Sequence, residues 1–211
     1  MGAAVIEASG SVRRGAVTPV LLAIALASPA AAAFAQDKCP HDPPGHFEFY
    51  MLSLSWEPGW CATQGKNKHA QECVTPTGFG LHGLWPEDSG GKYPCFCGDG
   101  TLSASELAAS KGVFADDSMV ANEWPKHGTC TTLGAPAYFK KSKAEFTRVK
   151  MPTEFPVHAA IPAAKVPALK AAFVKLNPGL TAEGMIVKTM SKQVVEVDVC
   201  FTMDDKYRPC L

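Results

Sequence analysis

The sequence predicts a mixed α+β fold that forms one domain and is cross-linked by disulfides. Strand-like and helix-like segments both occur along the chain, and no internal repeat is present. Eight cysteines and 17 prolines indicate a compact, loop-rich structure, and 211 residues suit one domain. With 46% hydrophobic residues and no net charge, the composition excludes a disordered protein. It also excludes a strongly basic nucleic-acid coat or a polyanionic tail.

Alternation of apolar and polar residues predicts strands at both ends of this domain. Segment 47–56 is rich in aromatics and alternates towards its C-terminal end, and 193–202 alternates most clearly. Residues 78–85 are predicted as a short strand or a buried turn. Polar or Gly- and Pro-rich composition predicts loops over 61–73 and 86–100.

Helical patterns occupy the middle of the chain. The amphipathic, charged stretch 137–149 and the apolar-periodic stretch 166–176 are predicted helices, and Ser105-Glu106-Leu107 opens a short one. Residues 119–129 fit a helix only if Pro125 lies in its first turn or at a kink, because proline has no amide hydrogen to donate.

The N-terminal segment has the pattern of an export signal. Two arginines precede an uncharged, apolar run over 15–33, and Ala-Phe-Ala at 33–35 fits a cleavage site. The alternative is a membrane anchor, but the run is short and Ala-rich and no stop-transfer pattern follows. We therefore expect cleavage of residues 1–35 and a secreted or periplasmic domain over 36–211 without a membrane anchor.

All eight cysteines follow this signal, which indicates a disulfide framework in an oxidising compartment. The alternative is zinc, because Cys95 and Cys97 are close together and six histidines are present. A C-x-C spacing is not that of a closed zinc site, and no second cysteine knuckle follows. We expect disulfides and no metal, with the pairing open. The cysteines are Cys39, Cys61, Cys73, Cys95, Cys97, Cys130, Cys200 and Cys210.

Two separate segments place a histidine beside a glycine, where a tight backbone leaves an imidazole accessible. One contains His82 and the other His127. In a helical turn, Glu123, Lys126 and His127 share one face. A carboxylate, an ammonium and an imidazole together suit proton transfer while negative charge builds on a phosphoryl or acyl oxygen. The alternative is an ordinary solvated ion pair between Glu123 and Lys126.

These segments resemble the two active-site motifs of the ribonuclease T2 family. The motifs are His-Gly-Leu-Trp-Pro at 82–86 and Glu-Trp-Pro-Lys-His-Gly-Thr-Cys at 123–130. The strand ending at 55–61 and the C-terminal strand ending in Cys200 also resemble the family, so the likeness covers most of 46–210. It implies an α+β fold with an antiparallel sheet core and flanking helices. It also implies an endoribonuclease that cleaves single-stranded RNA through a 2′,3′-cyclic phosphate with low base specificity.

The resemblance assigns roles to the motif residues. His127 would be the general base on the ribose 2′-OH, and His82 the general acid for the leaving 5′-oxygen. Lys126 and Glu123 would stabilise the transition state and tune the histidines. The reaction needs no metal or other cofactor, and DNA, which lacks the 2′-OH, would not be cut.

Substrate-binding residues are also implied. Trp85 and Tyr93 resemble the family's base-stacking aromatics, and Glu87 is placed to accept a hydrogen bond from a base amine. Core packing of Trp85 and an exposed loop charge at Glu87 are the alternatives. Asn122 departs from the family, because many members have a phosphate-binding histidine there. Asparagine donates a hydrogen bond but carries no charge, so we expect weaker phosphate binding or a shifted pH optimum.

The resemblance further implies a disulfide pairing. The implied pairs are Cys61–Cys73, Cys200–Cys210 and Cys130 with Cys95 or Cys97, and Cys39 takes the remaining partner.

Two other functional classes remain as alternatives. Intact motif residues argue against a catalytically idle binding module. Cleavage in the presence of a chelator would separate a metal-free enzyme from a zinc hydrolase that uses His82 and His127. We expect a monomer.

Overall fold

The computed structural model of the protein describes residues 43–63, 71–114 and 116–210. The expected leader over 1–35 and Cys39 lie outside these residues. Within them, none of the helices combines the length and apolar character that a membrane span requires.

Four strands form one antiparallel sheet, with helices packed against it. The strands are β1 (Phe49–Trp56), β2 (Phe79–Glu87), β3 (Met185–Met190) and β4 (Gln193–Phe201). The sheet order is β2-β1-β4-β3, with every neighbouring pair antiparallel. This confirms the predicted α+β class. The helices are α1 (Glu57–Thr63), α2 (Gln71–Val74), α3 (Ala104–Ala109), α4 (Val120–Lys126), α5 (Ala135–Arg148) and α6 (Val166–Leu176).

One face of the sheet forms the hydrophobic core. Successive side chains of a strand point to opposite faces, so Leu52 and Leu54 of β1 point the same way and are fully buried. They belong to one cluster with Phe139 of α5 and Phe173 of α6. Each such side chain contributes about 1.5–3 kcal/mol by leaving water. The hydroxyl of Tyr138 also donates to the carbonyl of Leu84 at 3.0 Å, which fixes α5 against β2.

The opposite face of the sheet carries a smaller cluster and the polar residues of the site. Phe49 and Met51 of β1 pack there with Cys200, and Trp85 and Ile186 pack against them. Because the helices α5 and α6 cover the other face, this one remains available to line a cavity.

Several boundaries differ from the sequence prediction. The expected loop over 86–100 begins later, because Pro86 and Glu87 still pair with β1. Proline is tolerated there since β2 is an edge strand of the sheet. The expected loop over 61–73 was wrong at its ends, where α1 and α2 lie. Pro58 is the second residue of α1, where no intrahelical donor is needed.

Strand β3 was not predicted. It forms a hairpin with β4 through Ser191 and Lys192, both of which have positive φ. Turns of this kind are usually marked by asparagine or glycine, and neither is present here. The sequence therefore lacked the signal that identifies a two-residue hairpin.

The predicted helix over 119–129 is divided into three short pieces. A 3₁₀ turn (Asp117–Met119) leads into α4, and a second one (Gly128–Cys130) follows it. Pro125 lies in the last turn of α4 rather than in its first. The missing proline donor is consistent with a helix that ends one residue later, at Lys126.

Three disulfides join described residues. The bridges Cys61–Cys73 and Cys200–Cys210 confirm the implied pairing. Of the two candidates left open for Cys130, the partner is Cys97. Cys95 is also in a disulfide, whereas the pairing expected for Cys39 lies outside the described residues. The Cys97–Cys130 bridge ties the loop after β2 to the segment that follows His127.

Candidate active site

A cavity of about 580 Å³ opens on the sheet face opposite the core. Strand β2 and helix α4 supply its two sequence motifs, and β3 forms a further wall. Every residue singled out from the sequence as catalytic or substrate-binding lines it: His82, Trp85, Glu87, Tyr93, Asn122, Glu123, Lys126 and His127. Segments about 40 residues apart in sequence are thus brought to one site.

His82 occupies an irregularity in β2. Gly83 pairs with Ser53 and Leu81 with Leu54, so His82 is an extra residue opposite β1. Such bulges redirect a side chain out of the regular strand alternation. Here the bulge lets His82 face the same cavity as Trp85, although the two are three positions apart and a regular strand would place them on opposite faces.

The imidazole of His82 is held between two carboxylates. Its Nδ1 lies 2.5 Å from Oε2 of Glu196, and its Nε2 lies 3.8 Å from Oε1 of Glu123. Burial by itself lowers the pKa of His82, but the hydrogen bond to Glu196 and the nearby charges of Glu123 and Asp198 outweigh it. The net effect raises the pKa of His82, so the protonated form is favoured.

Glu123 is buried at the start of the second motif and bonded to the first. The indole Nε1 of Trp85 donates to its Oε2 at 2.7 Å. Burial raises the pKa of Glu123, opposed by the charge of His82 and the Trp85 hydrogen bond. Gly83 makes this approach possible, because a Cβ there would lie 2.2 Å from both atoms of that hydrogen bond.

His127 follows α4 directly and is only 4% exposed. Its ring stacks on Trp85, with centroids 5.0 Å apart and planes inclined by 22°. Burial lowers the pKa of His127 to about 3, assisted by the positive charges of Lys126 and Lys188. Nδ1 of this ring has no hydrogen-bond partner among the described residues. The imidazole is therefore neutral near pH 7.

Trp85 lies between the two histidines. Its ring centroid is 5.0 Å from that of His82 and 5.0 Å from that of His127. The two imidazoles are therefore no more than twice that distance apart. One is biased towards its protonated form and the other towards its neutral form, which is what a paired general acid and base require.

The remaining predicted residues border this centre. The Nζ of Lys126 lies 5.7 Å from the ring of Tyr93, which in turn lies 6.1 Å from the ring of His127. Asn122 is exposed at the rim. Glu87 is 6% exposed, so the alternative of an exposed loop charge was wrong. Burial, with the charge of Asp198 adding to it, raises the pKa of Glu87 to about 8.

Sequence reasoning missed three charged residues behind His82. Lys188 of β3 lies 2.5 Å from Oε1 of Glu196 and 3.1 Å from Oδ2 of Asp198, both on β4. Burial opposes ionisation of Glu196, but its bonds to His82 and Lys188 lower its pKa to about 2. Burial and the charge of Glu196 raise the pKa of Asp198 to about 6. The sequence did carry one signal for this cluster, because Glu196 and Asp198 are two carboxylates inside an otherwise apolar strand.

Among the described residues, no three or more histidine, cysteine, aspartate or glutamate side chains are arranged to hold a metal ion. The cavity instead has two imidazoles of opposite protonation beside a carboxylate and an ammonium. This arrangement defines a site for acid–base chemistry on a substrate that develops negative charge.

Comparison with known proteins identifies the family. The model of the ribonuclease T2 family matches residues 47–210, and the chain therefore belongs to that family. The chain is 33% identical over 122 residues to a probable ribonuclease of Haemophilus influenzae, covering 51% of this chain and 45% of that protein. It is 36% identical over 89 residues to a ribonuclease of Aeromonas hydrophila, covering 42% and 40%. The chain thus spans less than half the length of these two relatives.

Solved structures show the same fold. An RNase-related protein from Calystegia sepium superposes with a TM-score of 0.58 at 22% identity, covering 78% of this chain and 90% of that one. Ribonuclease MC1 from bitter gourd seeds superposes with a TM-score of 0.55 at 22% identity, covering 75% and 90%. These likenesses support the fold described above.

Proposed function

We propose that the protein is an endoribonuclease that cleaves single-stranded RNA by metal-free transesterification. The observation that carries this proposal is the convergence of His82 and His127 on one cavity, where each ring centroid lies 5.0 Å from that of Trp85. The opposite shifts of their pKa values suit a paired acid and base. Membership of the ribonuclease T2 family supports the same substrate class.

In the proposed reaction, neutral His127 accepts the proton of the ribose 2′-OH. The resulting oxygen attacks phosphorus, the P–O5′ bond breaks, and protonated His82 gives its proton to the departing 5′-oxygen. The products are a 2′,3′-cyclic phosphate and a 5′-OH. Hydrolysis of the cyclic ester reverses the two proton transfers, with water in place of the 5′-OH.

The other charged groups stabilise the transition state. Lys126 provides a fixed positive charge for the phosphoryl oxygens, which gain negative charge as the 2′-oxygen attacks. Glu123 stays within 3.8 Å of His82 and supports its protonated form. DNA is not cleaved because it has no 2′-OH to serve as the nucleophile.

Substrate selection in this proposal relies mostly on stacking. Tyr93 and the accessible part of Trp85 stack on a base, and Asn122 donates a hydrogen bond to phosphate at the rim. Stacking tolerates any base, at about 1–3 kcal/mol per base, so base specificity is low. Glu87 accepts from an exocyclic amine when ionised.

The deciding experiment incubates the purified protein in EDTA with RNA, DNA and RNA carrying 2′-deoxy substitutions. We expect cyclic-phosphate termini from RNA alone. His127→Ala removes the base and should abolish cleavage. His158→Ala is the matched control, because His158 is exposed and lies outside the cavity. Cleavage of DNA, or loss of RNA cleavage in EDTA, would contradict the proposal.

Export and a monomeric state complete the proposal. Eight cysteines, of which six form the three bridges described here, fit an oxidising secreted or periplasmic location. N-terminal sequencing of the protein recovered outside the cytoplasm would test cleavage after residue 35. Light scattering would test the monomer.

A further inference from the structure

Glu196 contacts the proposed general acid, and the proposed reaction assigns it no role. Its two carboxylate oxygens have different partners: Oε2 meets Nδ1 of His82 and Oε1 meets Nζ of Lys188, each at 2.5 Å. Glu196 is 8% exposed, so its carboxylate is largely shielded from solvent. Held at both oxygens, it has little freedom to rotate.

The contact with His82 fixes which nitrogen faces the substrate. A carboxylate accepts a hydrogen bond, so Nδ1 carries a proton and donates it to Glu196. The other nitrogen, Nε2, then points away from Glu196 and is the nitrogen that exchanges a proton with substrate. A carboxylate behind a catalytic imidazole orients the ring in this way and stabilises its charged form.

The charges around His82 favour that form from several directions. Glu123 faces it from α4, and Glu196 and Asp198 face it from β4. Lys188 from β3 is the cationic neighbour, and His127 after α4 is neutral near pH 7. Lys188 is bonded to both carboxylates of β4, so it fixes them in place while Glu196 still makes its contact with His82.

We propose that Glu196 is a positioning residue for the general acid, and that Lys188 holds it in place. This inference rests on the proposed function, in which His82 protonates the leaving oxygen. During cleavage, the Nε2 proton moves to the 5′-oxygen as that oxygen takes the electron pair of the P–O5′ bond. The Nδ1–H···Glu196 hydrogen bond persists throughout, and His82 is left neutral.

The test compares two substrates that differ in their need for an acid. Uridylyl-3′,5′-adenosine has an alkoxide leaving group, whereas uridine 3′-(4-nitrophenyl phosphate) releases a nitrophenolate that needs no proton. For Glu196→Gln, which keeps a hydrogen-bond acceptor and loses the charge, we expect kcat/KM on the dinucleotide to fall about 10- to 100-fold. On the nitrophenyl ester it should fall less than about 3-fold. The alkaline limb on the dinucleotide should move to lower pH, because His82 loses its protonated form earlier.

Three further variants make the outcome decisive. His82→Ala should show the full substrate-dependent loss; equal losses on both substrates would overturn the assignment of the acid and this inference with it. If His82→Ala is selective but Glu196→Gln loses both substrates alike, or neither, only the inference is overturned. Lys188→Gln should reproduce the selectivity more weakly, because it removes only the group that holds Glu196 in place. Glu145→Gln, at a buried carboxylate of α5 paired with Arg148, controls for stability alone.

Discussion

Replacing Gly83 with alanine would test the hydrogen bond that joins the two motifs. A Cβ at this position would lie 2.2 Å from Nε1 of Trp85 and 2.2 Å from Oε2 of Glu123. Those two atoms are 2.7 Å apart in the native site. No real Cβ fits between them, so the indole and the carboxylate must separate.

The loss of stability follows from breaking the hydrogen bond between Trp85 and Glu123. A hydrogen bond to a charged or buried carboxyl group contributes about 1.5–3 kcal/mol. Losing it should lower the free energy of unfolding by that amount and move the urea midpoint down by about 1 M for a protein of this size. Displacing Glu123 from His82 should also lower kcat/KM at least about tenfold, the equivalent of 1.4 kcal/mol in the transition state.

The assay is urea unfolding followed by fluorescence, together with RNA cleavage at neutral pH. Gly98→Ala is the matched control. Its φ is not in the left-handed region, and an added Cβ would meet Thr129 at an ordinary 3.6 Å. We expect it to match or slightly exceed the wild type in stability. If Gly83→Ala equals Gly98→Ala in both measurements, the described Trp85–Glu123 geometry is wrong.

Three other predictions follow from the site. The pH profile of kcat/KM on RNA should be a wide bell: a neutral base with a pKa of about 3 at His127 places the acid limb well below pH 6, and a raised pKa at His82 places the alkaline limb above 6.5. A narrow bell centred near pH 5 would contradict this. Replacing both Cys97 and Cys130 by serine should cost about 3–4 kcal/mol of stability for their separation of 33 residues, and activity should fall too. If the variant stays active at temperatures where it is unfolded, its activity does not depend on the stability that this disulfide provides. Asn122→Ala should raise KM about 2- to 10-fold, and unchanged kinetics would remove Asn122 from the phosphate site.

The parts of the fold that could be predicted are those with a local signal. Strands β1 and β4 and helices α5 and α6 follow from period-2 and helical patterns, because each buries one face against the core. Helix α1 was missed because Pro58 indicates a chain break, yet a proline in the first turn needs no donor. The bulge at His82 could not be predicted, because it depends on which residues of β1 pair with β2. The sequence of β2 alone does not contain that information.

The charged residues behind His82 were also beyond prediction from single segments of the sequence. Glu196 and Asp198 stand in the most clearly predicted strand, and Lys188 stands in the strand that escaped prediction. Their contacts arise only when β3 pairs with β4 and β4 pairs with β1, so the charges that act on His82 come from outside both motifs. In the proposed reaction the motifs therefore identify the reacting groups, while the pairing of β3, β4 and β1 places the charges that favour protonation of His82.

The division of charge between sheet and helix explains how two histidines in one cavity take opposite protonation states. His82 stands on the sheet, where β4 supplies carboxylates that offset its burial. His127 stands at the end of α4, where it is buried beside Lys126, and no carboxylate of the described residues supports its charge. Their effects on stability consequently have opposite signs. Lowering the pH below about 6.5 protonates His127 in the unfolded chain first and destabilises the fold by up to about 1.4 kcal/mol per pH unit. His82 instead stabilises the fold at low pH, and this contribution is lost as the pH rises through its raised pKa. The packing around each ring therefore favours the charged form of the proposed acid, His82, and the neutral form of the proposed base, His127.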